Sequence, residues 1–383
     1  MNQSGRRVLA ACTGAYFAVR VGQLALSPVL PAVVDDLHVS TATAGLALTV
    51  MWLAYAAAQL PSGLLAGRLG GRQTVLLALG GVAVGAALVA VAGSPVAFVA
   101  AVVVVGGAAG LYYNAGASLL ASAFDAVGAP IGLHKLGSRA AGVVTPVAAA
   151  GLLAVAGWRA VPAAATGVAV LGVVGTVGVV GATPAPGGAT PSVRAGVWSA
   201  VEALRRPEVA GTTVLTAGGE FVEQAVLSFL PTFLAAYRGV SLGTAGALFA
   251  VTFVAAAAVG PVAGWLADRY SANAAATATM TAGVAGFLVL LGGPAVALPV
   301  GAALVGLSMG WSAPLQSRVL NALEDGERGA GFGAYRTGYL AVGSLGSVVV
   351  GTTAAKAGWG VAVALLAAVL ALAALGLLAE RVA

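Results

Sequence analysis

Charged residues are scarce in this sequence. Asp, Glu, Lys and Arg together make up 8% of its 383 residues, against about a quarter in soluble domains. Hydrophobic residues make up 60%, so the chain has too few charges to build an ordinary water-facing surface. The composition therefore predicts a protein that faces lipid, with little chain left over for a soluble domain.

Cysteine, histidine and basic clusters are also sparse, and each absence excludes a class of protein. The one cysteine, Cys12, excludes an internal disulfide and a Cys-x-x-Cys metal site. The net charge is +6, but the longest basic run is the pair Arg205-Arg206, so no nucleic-acid partner is expected. The two histidines, His38 and His134, are expected in solvated loops.

Catalytic and nucleotide-binding motifs are missing as well. Neither lysine completes a Gly-x-x-x-x-Gly-Lys-Ser/Thr loop, which excludes ATP-driven pumping by this chain alone. No Gly-x-Ser-x-Gly elbow and no set of acids with metal-ligand spacing occurs. We therefore expect neither an enzyme nor a bound metal or other cofactor.

Apolar runs between glycines, prolines and charges predict twelve membrane-spanning helices. The predicted spans are residues 8–31, 41–66, 74–93, 95–119, 136–156, 160–181, 209–234, 241–266, 273–292, 295–316, 331–354 and 359–379. With a cytoplasmic N-terminus, twelve Lys and Arg residues outside the spans lie inside, and only Arg159, Arg238 and Lys356 lie outside. Because basic residues favour the cytoplasmic side, we expect both termini there, in a multi-pass protein of the plasma membrane.

The two halves of the chain repeat each other. The stretch from Pro61 to Arg68 returns as the stretch from Pro261 to Arg269, with its first glycine 201 residues later. Gly157-Trp158 and Gly358-Trp359 share the same offset. Six spans in each half make the repeats parallel, which is a common plan for transporters that hold their substrate between the halves.

The repeat predicts three regions. Residues 1–181 form an N-terminal six-helix bundle, residues 182–208 a cytoplasmic linker, and residues 209–383 a C-terminal six-helix bundle. The linker begins with a run rich in proline and glycine, followed from Arg194 to Glu208 by an amphipathic pattern. This pattern predicts an interfacial helix; the alternative is a cytoplasmic extension of span 7.

On these motifs the chain resembles the major facilitator superfamily. The superfamily's signature after span 2 reads Gly-x-x-x-Asp-Arg-x-Gly-Arg-Arg, and Gly67 stands here where the superfamily has Asp. The matching residues are Gly63, Arg68, Gly70 and Arg72 in the first copy and Gly264, Asp268 and Arg269 in the second. The resemblance implies an all-α membrane protein of twelve transmembrane helices in two parallel six-helix repeats. It also implies a gating role for the signature, although Arg68 and Arg72 can equally serve as cytoplasmic anchors.

Polar residues follow one face of span 1 and return in span 7. Tyr16, Arg20 and Gln23 recur at steps of three and four residues, and Glu220 and Glu223 stand 200 residues after Arg20 and Gln23. Arg20 and Glu220 fall near the middle of the bilayer, where a lipid-facing charge costs about 2.5–3.5 kcal/mol. Both side chains are therefore expected to line a cavity or to pair with each other.

This stripe has a functional and a structural interpretation. In the first, Arg20 binds an anionic group or pairs with Glu220, and Glu220 or Glu223 carries a proton, since two carboxylates one turn apart resist being ionised together. In the second, Arg20 and Glu220 form a static bridge that holds one closed state. In the superfamily, spans 1, 4, 7 and 10 line the cavity, so the resemblance adds four possible solute contacts. These are Tyr112, Asn114, Trp311 and Gln316.

The sequence thus predicts a secondary active transporter that moves a small solute by alternating access. Arg20 favours proton-coupled uptake of an organic anion. The alternative is proton-driven efflux of lipophilic or cationic compounds, and a more remote one is a receptor or channel on the same scaffold. The expected partners are the solute, a proton or other coupling ion, and the lipid bilayer, and the protein is expected to be a monomer.

Overall fold

The computed structural model describes residues 3–124, 128–181, 202, 204–323 and 328–380. The chain folds into two compact units. Unit 1 comprises Met1–Val39 and Ala47–Thr190, and unit 2 comprises Ser40–Leu46 and Pro191–Ala383. The predicted interfacial helix from Arg194 to Glu208 lies largely outside the described residues.

Helices make up both units. From the N-terminus to the linker they are α1 (Gln3–Leu24), α2 (Leu26–Asp36), α3 (Thr41–Leu69), α4 (Gly71–Ala90), α5 (Pro95–Gly110), α6 (Tyr112–Ala123), α7 (Gly128–Ala156) and α8 (Ala160–Val179). After the linker follow α9 (Pro207–Arg238), α10 (Leu242–Arg269), α11 (Ala272–Gly292), α12 (Leu298–Ser308), α13 (Ser312–Ala322), α14 (Arg328–Ala357) and α15 (Trp359–Ala379). Short 3₁₀ turns, Ala295–Ala297 and Met309–Trp311, flank α12.

The helices account for the predicted number of membrane crossings. By length and composition, eleven segments of the described residues can cross a membrane, some of them made of two consecutive helices. The helix α9 is not among these, but its 32 residues are long enough for a crossing. It carries the carboxylates of Glu220 and Glu223, which lower its hydropathy.

Three predicted spans are divided into shorter helices. Span 1 divides at Ala25 into α1 and α2, because Pro28 has no N–H to donate to the carbonyl of Leu24. Span 4 divides at Leu111, and span 10 divides at the 3₁₀ turn Met309–Trp311. Each of the three still forms a single segment that can cross a membrane.

Equivalent helices pack together within each unit. In unit 1, α1 packs on α7, and α4 packs on α5 and α8. In unit 2, α9 packs on α14, and α11 packs on α12 and α15. Small residues permit the closest approaches: the space for a side chain at Gly106 is filled by the carbonyl of Met51, and that at Gly306 by the carbonyl of Thr252.

The repeated glycines before the last helix of each unit have a backbone explanation. Gly157 and Gly358 adopt φ values of 75° and 87°, which are costly for residues with a Cβ atom. Each glycine therefore turns the chain sharply between two antiparallel spans. The sequence match at these positions reflects a shared turn.

Candidate functional site

Arg20 in α1 has buried hydrogen-bonding capacity that the protein does not use. Its Nη1 donates to Oε1 of Gln23 at 3.0 Å, and its Cζ lies 5.9 Å from the centre of the Trp52 ring. Among the described residues, neither Nε of Arg20 nor Nε2 of Gln23 has a hydrogen-bond partner, although both atoms are buried. These two donors, one turn apart on one face of the helix, can bind an acceptor from a solute.

A compact aromatic cluster, consisting of Tyr16, Tyr112, Tyr113 and His134, lies one turn before Arg20. The Tyr16 ring stacks on His134 with centroids 4.8 Å apart and on Tyr112 at 5.2 Å. The hydroxyl of Tyr112 lies 2.9 Å from Nε2 of His134 and donates to the carbonyl of Cys12. We call these four side chains the aromatic cluster.

The expectation that His134 lies in a solvated loop was wrong. Its side chain is fully buried, because α7 begins at Gly128, earlier than predicted, and directs the imidazole toward α1 and α6. His38, in contrast, is exposed in the loop after α2, as predicted.

Tyr112 and Asn114 lie where span 4 is interrupted, and both are held by neighbouring backbone. Tyr112 is fully buried. Nδ2 of Asn114 donates to the carbonyl of Gln59 at 2.7 Å, while the Gln59 side chain donates to the carbonyl of Gly110 at 3.3 Å. In this conformation the side chains of Tyr112 and Asn114 both support the interrupted helix. Tyr113 and Asn114 are half-buried.

Glu220 in α9 is a buried carboxylate in unit 2. It is 6% exposed and accepts a hydrogen bond from the side-chain amide of Gln224, one turn later. A side chain at Gly343 would collide with the Cβ and Cγ atoms of Glu220. The glycine therefore creates the space that the carboxylate occupies. Glu223 is half-buried.

Aromatic side chains pack against α9 near Glu220. The Thr216 hydroxyl lies 3.0 Å from the hydroxyl of Tyr335, and the Tyr335 ring packs on that of Tyr339 at 4.9 Å. Trp311 is 1% exposed; it meets Tyr339 edge to face at 6.1 Å and lies against Gly219. Trp311 therefore packs within unit 2 here, whereas Gln316 is half-buried.

These contacts locate the residues of the predicted polar stripe within each unit separately. Arg20, Tyr16 and Gln23 share one face of α1 in unit 1, and Glu220 and Glu223 share α9 in unit 2. The pairing of Arg20 with Glu220 stays a prediction. Among the described residues, no three His, Cys, Asp or Glu side chains come together as they would to hold a metal ion.

In unit 1 the signature residues span the end of α3 and the start of α4. In unit 1, Gly70 has φ of 89° and precedes α4, and Nε of Arg72 donates to the carbonyl of Val180 at 2.6 Å, at the end of α8. A cation at a helix C-terminus is favourable. Arg68 is exposed.

The second copy of the signature lies at the end of α10. Arg269 is exposed, and Asp268 and, in the first copy, Gly63 are placed here by their backbone alone. Among the described atoms, none lies within 4 Å of the position of a Cβ at Gly264. Close helix packing therefore does not explain this glycine in the present conformation.

Comparison with known proteins identifies the class of protein. The sequence matches the family model of the Major Facilitator Superfamily over residues 12–241 and again over residues 209–382. The chain belongs to this superfamily of membrane transporters. It is therefore a transporter rather than an enzyme, and a multi-pass membrane protein.

Solved structures of transporters share this fold. One is a bacterial homologue of the human lysosomal transporter Spinster in an inward-facing, unoccupied conformation, with TM-score 0.83 and 17% identity over 100% of this chain and 98% of that one. Another is the nucleoside transporter NupG, with TM-score 0.80 and 12% identity over 99% of each chain. The D-xylose-proton symporter has TM-score 0.77 and 14% identity over 97% of this chain and 96% of that one. A search of curated proteins by sequence found no match.

These likenesses confirm the predicted all-helical fold. Sequence reasoning missed His134, Gln224 and Tyr335 as parts of the polar core. A signal existed for two of them, since Tyr335 stands 201 residues after His134, and the next residues, Lys135 and Arg336, are both basic and share this repeat offset. Extending that match by one residue places both in the helices.

Proposed function

We propose that this transporter takes up a small organic anion together with protons across the plasma membrane, by alternating access and as a monomer with both termini in the cytoplasm. The observation that supports an anion most directly is the pair of unused buried donors, Nε of Arg20 and Nε2 of Gln23. Buried polar groups are almost always hydrogen-bonded, so an unsatisfied buried pair indicates a missing acceptor.

A carboxylate fits these donors by charge and geometry. The guanidinium presents several N–H groups in a plane and binds carboxylate oxygens in pairs. One acceptor oxygen can reach Nε of Arg20, while the second can accept from Gln23, which is already bonded to Nη1 of Arg20. The Trp52 ring beside the guanidinium offers a flat apolar surface for the remainder of the solute.

The proton is assigned to α9. Glu220 and Glu223 are the only acidic residues within the twelve predicted spans. Glu220 is buried and hydrogen-bonded to Gln224, and Glu223 lies about one turn further along the helix. Acidic groups inside a membrane protein commonly mark proton relays. The two carboxylates are therefore the proposed coupling groups.

The same carboxylates support the second candidate function. A lipophilic cation can bind to Glu223, which is half-buried, and can be exported in exchange for a proton. In that case Arg20 takes no part in solute binding. The two functions differ in the charge of the solute and in the direction of its movement.

A thermal-shift screen of the purified protein against small carboxylates and lipophilic cations separates these functions, because bound ligand stabilises the folded protein. We expect carboxylates to raise the melting temperature of the wild type but not of Arg20→Gln. The matched control is Lys356→Gln, which removes an exposed cation and is expected to keep the shift. Stabilisation by cations alone contradicts the anion assignment.

A further inference from the structure

The hydroxyl of Tyr112 fixes the protonation pattern of His134. A hydroxyl has one hydrogen, and Tyr112 donates it to the carbonyl of Cys12, which can only accept. The hydroxyl must therefore accept from Nε2 of His134, 2.9 Å away, so Nε2 carries a hydrogen. In the neutral imidazole, Nδ1 is then an unprotonated acceptor, and among the described residues it has no hydrogen-bond partner.

This unprotonated nitrogen is a buried base that the proposed function does not use. The imidazole is fully buried, and the half-buried Tyr16 ring lies over it at 4.8 Å. A proton can reach Nδ1 only when Tyr16 moves or water enters. Tyr16 is also one turn from Arg20 on α1, which links the base to the unused donors.

The described helices that pack around His134 are poor in negative charge. The helices α1, α6, α7 and α8 contain no Asp or Glu, and the two acids of α2, Asp35 and Asp36, lie in its last turn, with Asp36 paired to Arg159 at 2.9 Å. The other ionisable side chains of α1, α6, α7 and α8 are neutral or cationic: Arg6, Arg7, Cys12, Tyr16, Arg20, Tyr112, Tyr113, Lys135 and Arg139. An imidazolium at this position needs a counter-charge, because a buried unpaired charge is costly.

We propose that His134 is a proton-binding site in unit 1 that fills together with an aromatic carboxylate held by Arg20 and Gln23. The carboxylate supplies the negative charge that these helices lack, and its ring lies against Trp52 and the aromatic cluster. Since binding free energies are reciprocal, the anion favours the proton and the proton favours the anion. This inference rests on the proposed function and adds a second proton site to it, with a solute class.

Only two histidines occur in the chain, so replacing His38 leaves His134 as the single histidine signal in nuclear magnetic resonance. The sample is the full chain with His38→Asn, labelled with nitrogen isotope in histidine and embedded in lipid nanodiscs. Asn tolerates the positive φ of 51° at position 38. Without ligand, the ring is expected in the form with hydrogen on Nε2 and not on Nδ1.

Benzoate is the probe for the coupled step. At about pH 6, where an unperturbed histidine is partly protonated, saturating benzoate is expected to protonate both ring nitrogens of His134. Adding Arg20→Gln is expected to abolish this response, whereas adding Glu220→Gln is expected to leave it intact. Tyr112→Phe keeps the ring but removes the acceptor for Nε2, so hydrogen is expected on either ring nitrogen of His134.

Three results overturn the inference: hydrogen on Nδ1 rather than Nε2 in the ligand-free protein, titration of His134 that is the same with and without benzoate, or an imidazole that stays neutral in benzoate. These measurements need no transport. If His134 responds as expected but proteoliposomes show no proton-driven uptake, the proposed function fails and the coupled site stands.

Discussion

At the scale of the residue, the membrane-spanning helices contain few charged side chains, and specific contacts orient Glu220 and Arg20. Glu220 accepts a hydrogen bond from Gln224, and its side chain occupies the space left by the missing Cβ of Gly343. Arg20 is held by Gln23 and Trp52, and keeps an unused donor. Each charge is therefore fixed in place before any solute binds, which lowers the entropic cost of binding.

Removing the Arg20 guanidinium should weaken the binding of carboxylates. A hydrogen bond to a charged group contributes about 1.5–3 kcal/mol, or roughly a ten- to hundredfold change in affinity. We expect Arg20→Gln to raise the dissociation constant for a carboxylate identified by thermal shift by that factor, measured by calorimetry. Unchanged affinity would exclude Arg20 from the site.

Filling the space beside Glu220 should damage unit 2. Gly343→Ala places a methyl group against Glu220, and overpacking of this kind typically costs about 1–3 kcal/mol. We expect a lower melting temperature and weaker proton-driven uptake. Gly264→Ala is the matched control, since no described atom lies near that position, and a melting temperature equal to or above that of the wild type is expected there.

The stripe on span 1 could be predicted from the sequence, but its partners could not. Spacing alone places Tyr16, Arg20 and Gln23 on one helical face. The burial of His134 depended on where α7 begins, and the charged Lys135, between His134 and the predicted span from residue 136, hid that boundary. Periodicity is weakest at helix ends, where a buried histidine and a solvated one look alike.

At the scale of the element, two of the three helix interruptions lie at equivalent places in the two units, whereas the one in span 1 has no counterpart in α9. The break at Leu111 in span 4 and the 3₁₀ turn at Met309–Trp311 in span 10 lie 200 residues apart at Leu111 and Trp311. The sequence showed Pro28 and Pro314, but the break at Leu111 contains no proline. It depends on tertiary contacts, such as the hydrogen bond from Ser62 to the carbonyl of Leu111, and these cannot be read from one sequence.

The joint between α3 and α4 should tolerate only glycine. Gly70 has φ of 89°, and a left-handed conformation costs other residues about 1–2 kcal/mol. We expect Gly70→Ala to lower the melting temperature and to slow transport, because the signature residue Arg72 lies only two residues later. Gly80→Ala, within α4 and with no described neighbour within 4 Å, is the control expected to be harmless. Equal effects of both substitutions would contradict a special role for the joint.

At the scale of the whole molecule, the duplication has kept the packing and divided the chemistry. Unit 1 carries Arg20 and His134, whereas unit 2 carries Glu220 and Glu223, and Tyr335 stands in the repeat position of His134. Two copies with similar helix packing therefore carry different charged and polar side chains. This division is consistent with the proposed uptake of an anion together with protons.

The most direct test of this account is the accumulation of a carboxylate, identified by the thermal-shift screen, in proteoliposomes under an inward proton gradient. We expect the wild type to accumulate the anion above its external concentration. Glu220→Gln should still exchange anion for anion without a gradient, since Arg20 is intact, but should lose gradient-driven accumulation. Full, pH-dependent accumulation by both Glu220→Gln and Glu223→Gln would contradict the assignment of the coupling groups. Extrusion of lipophilic cations without anion uptake would contradict the proposed function itself.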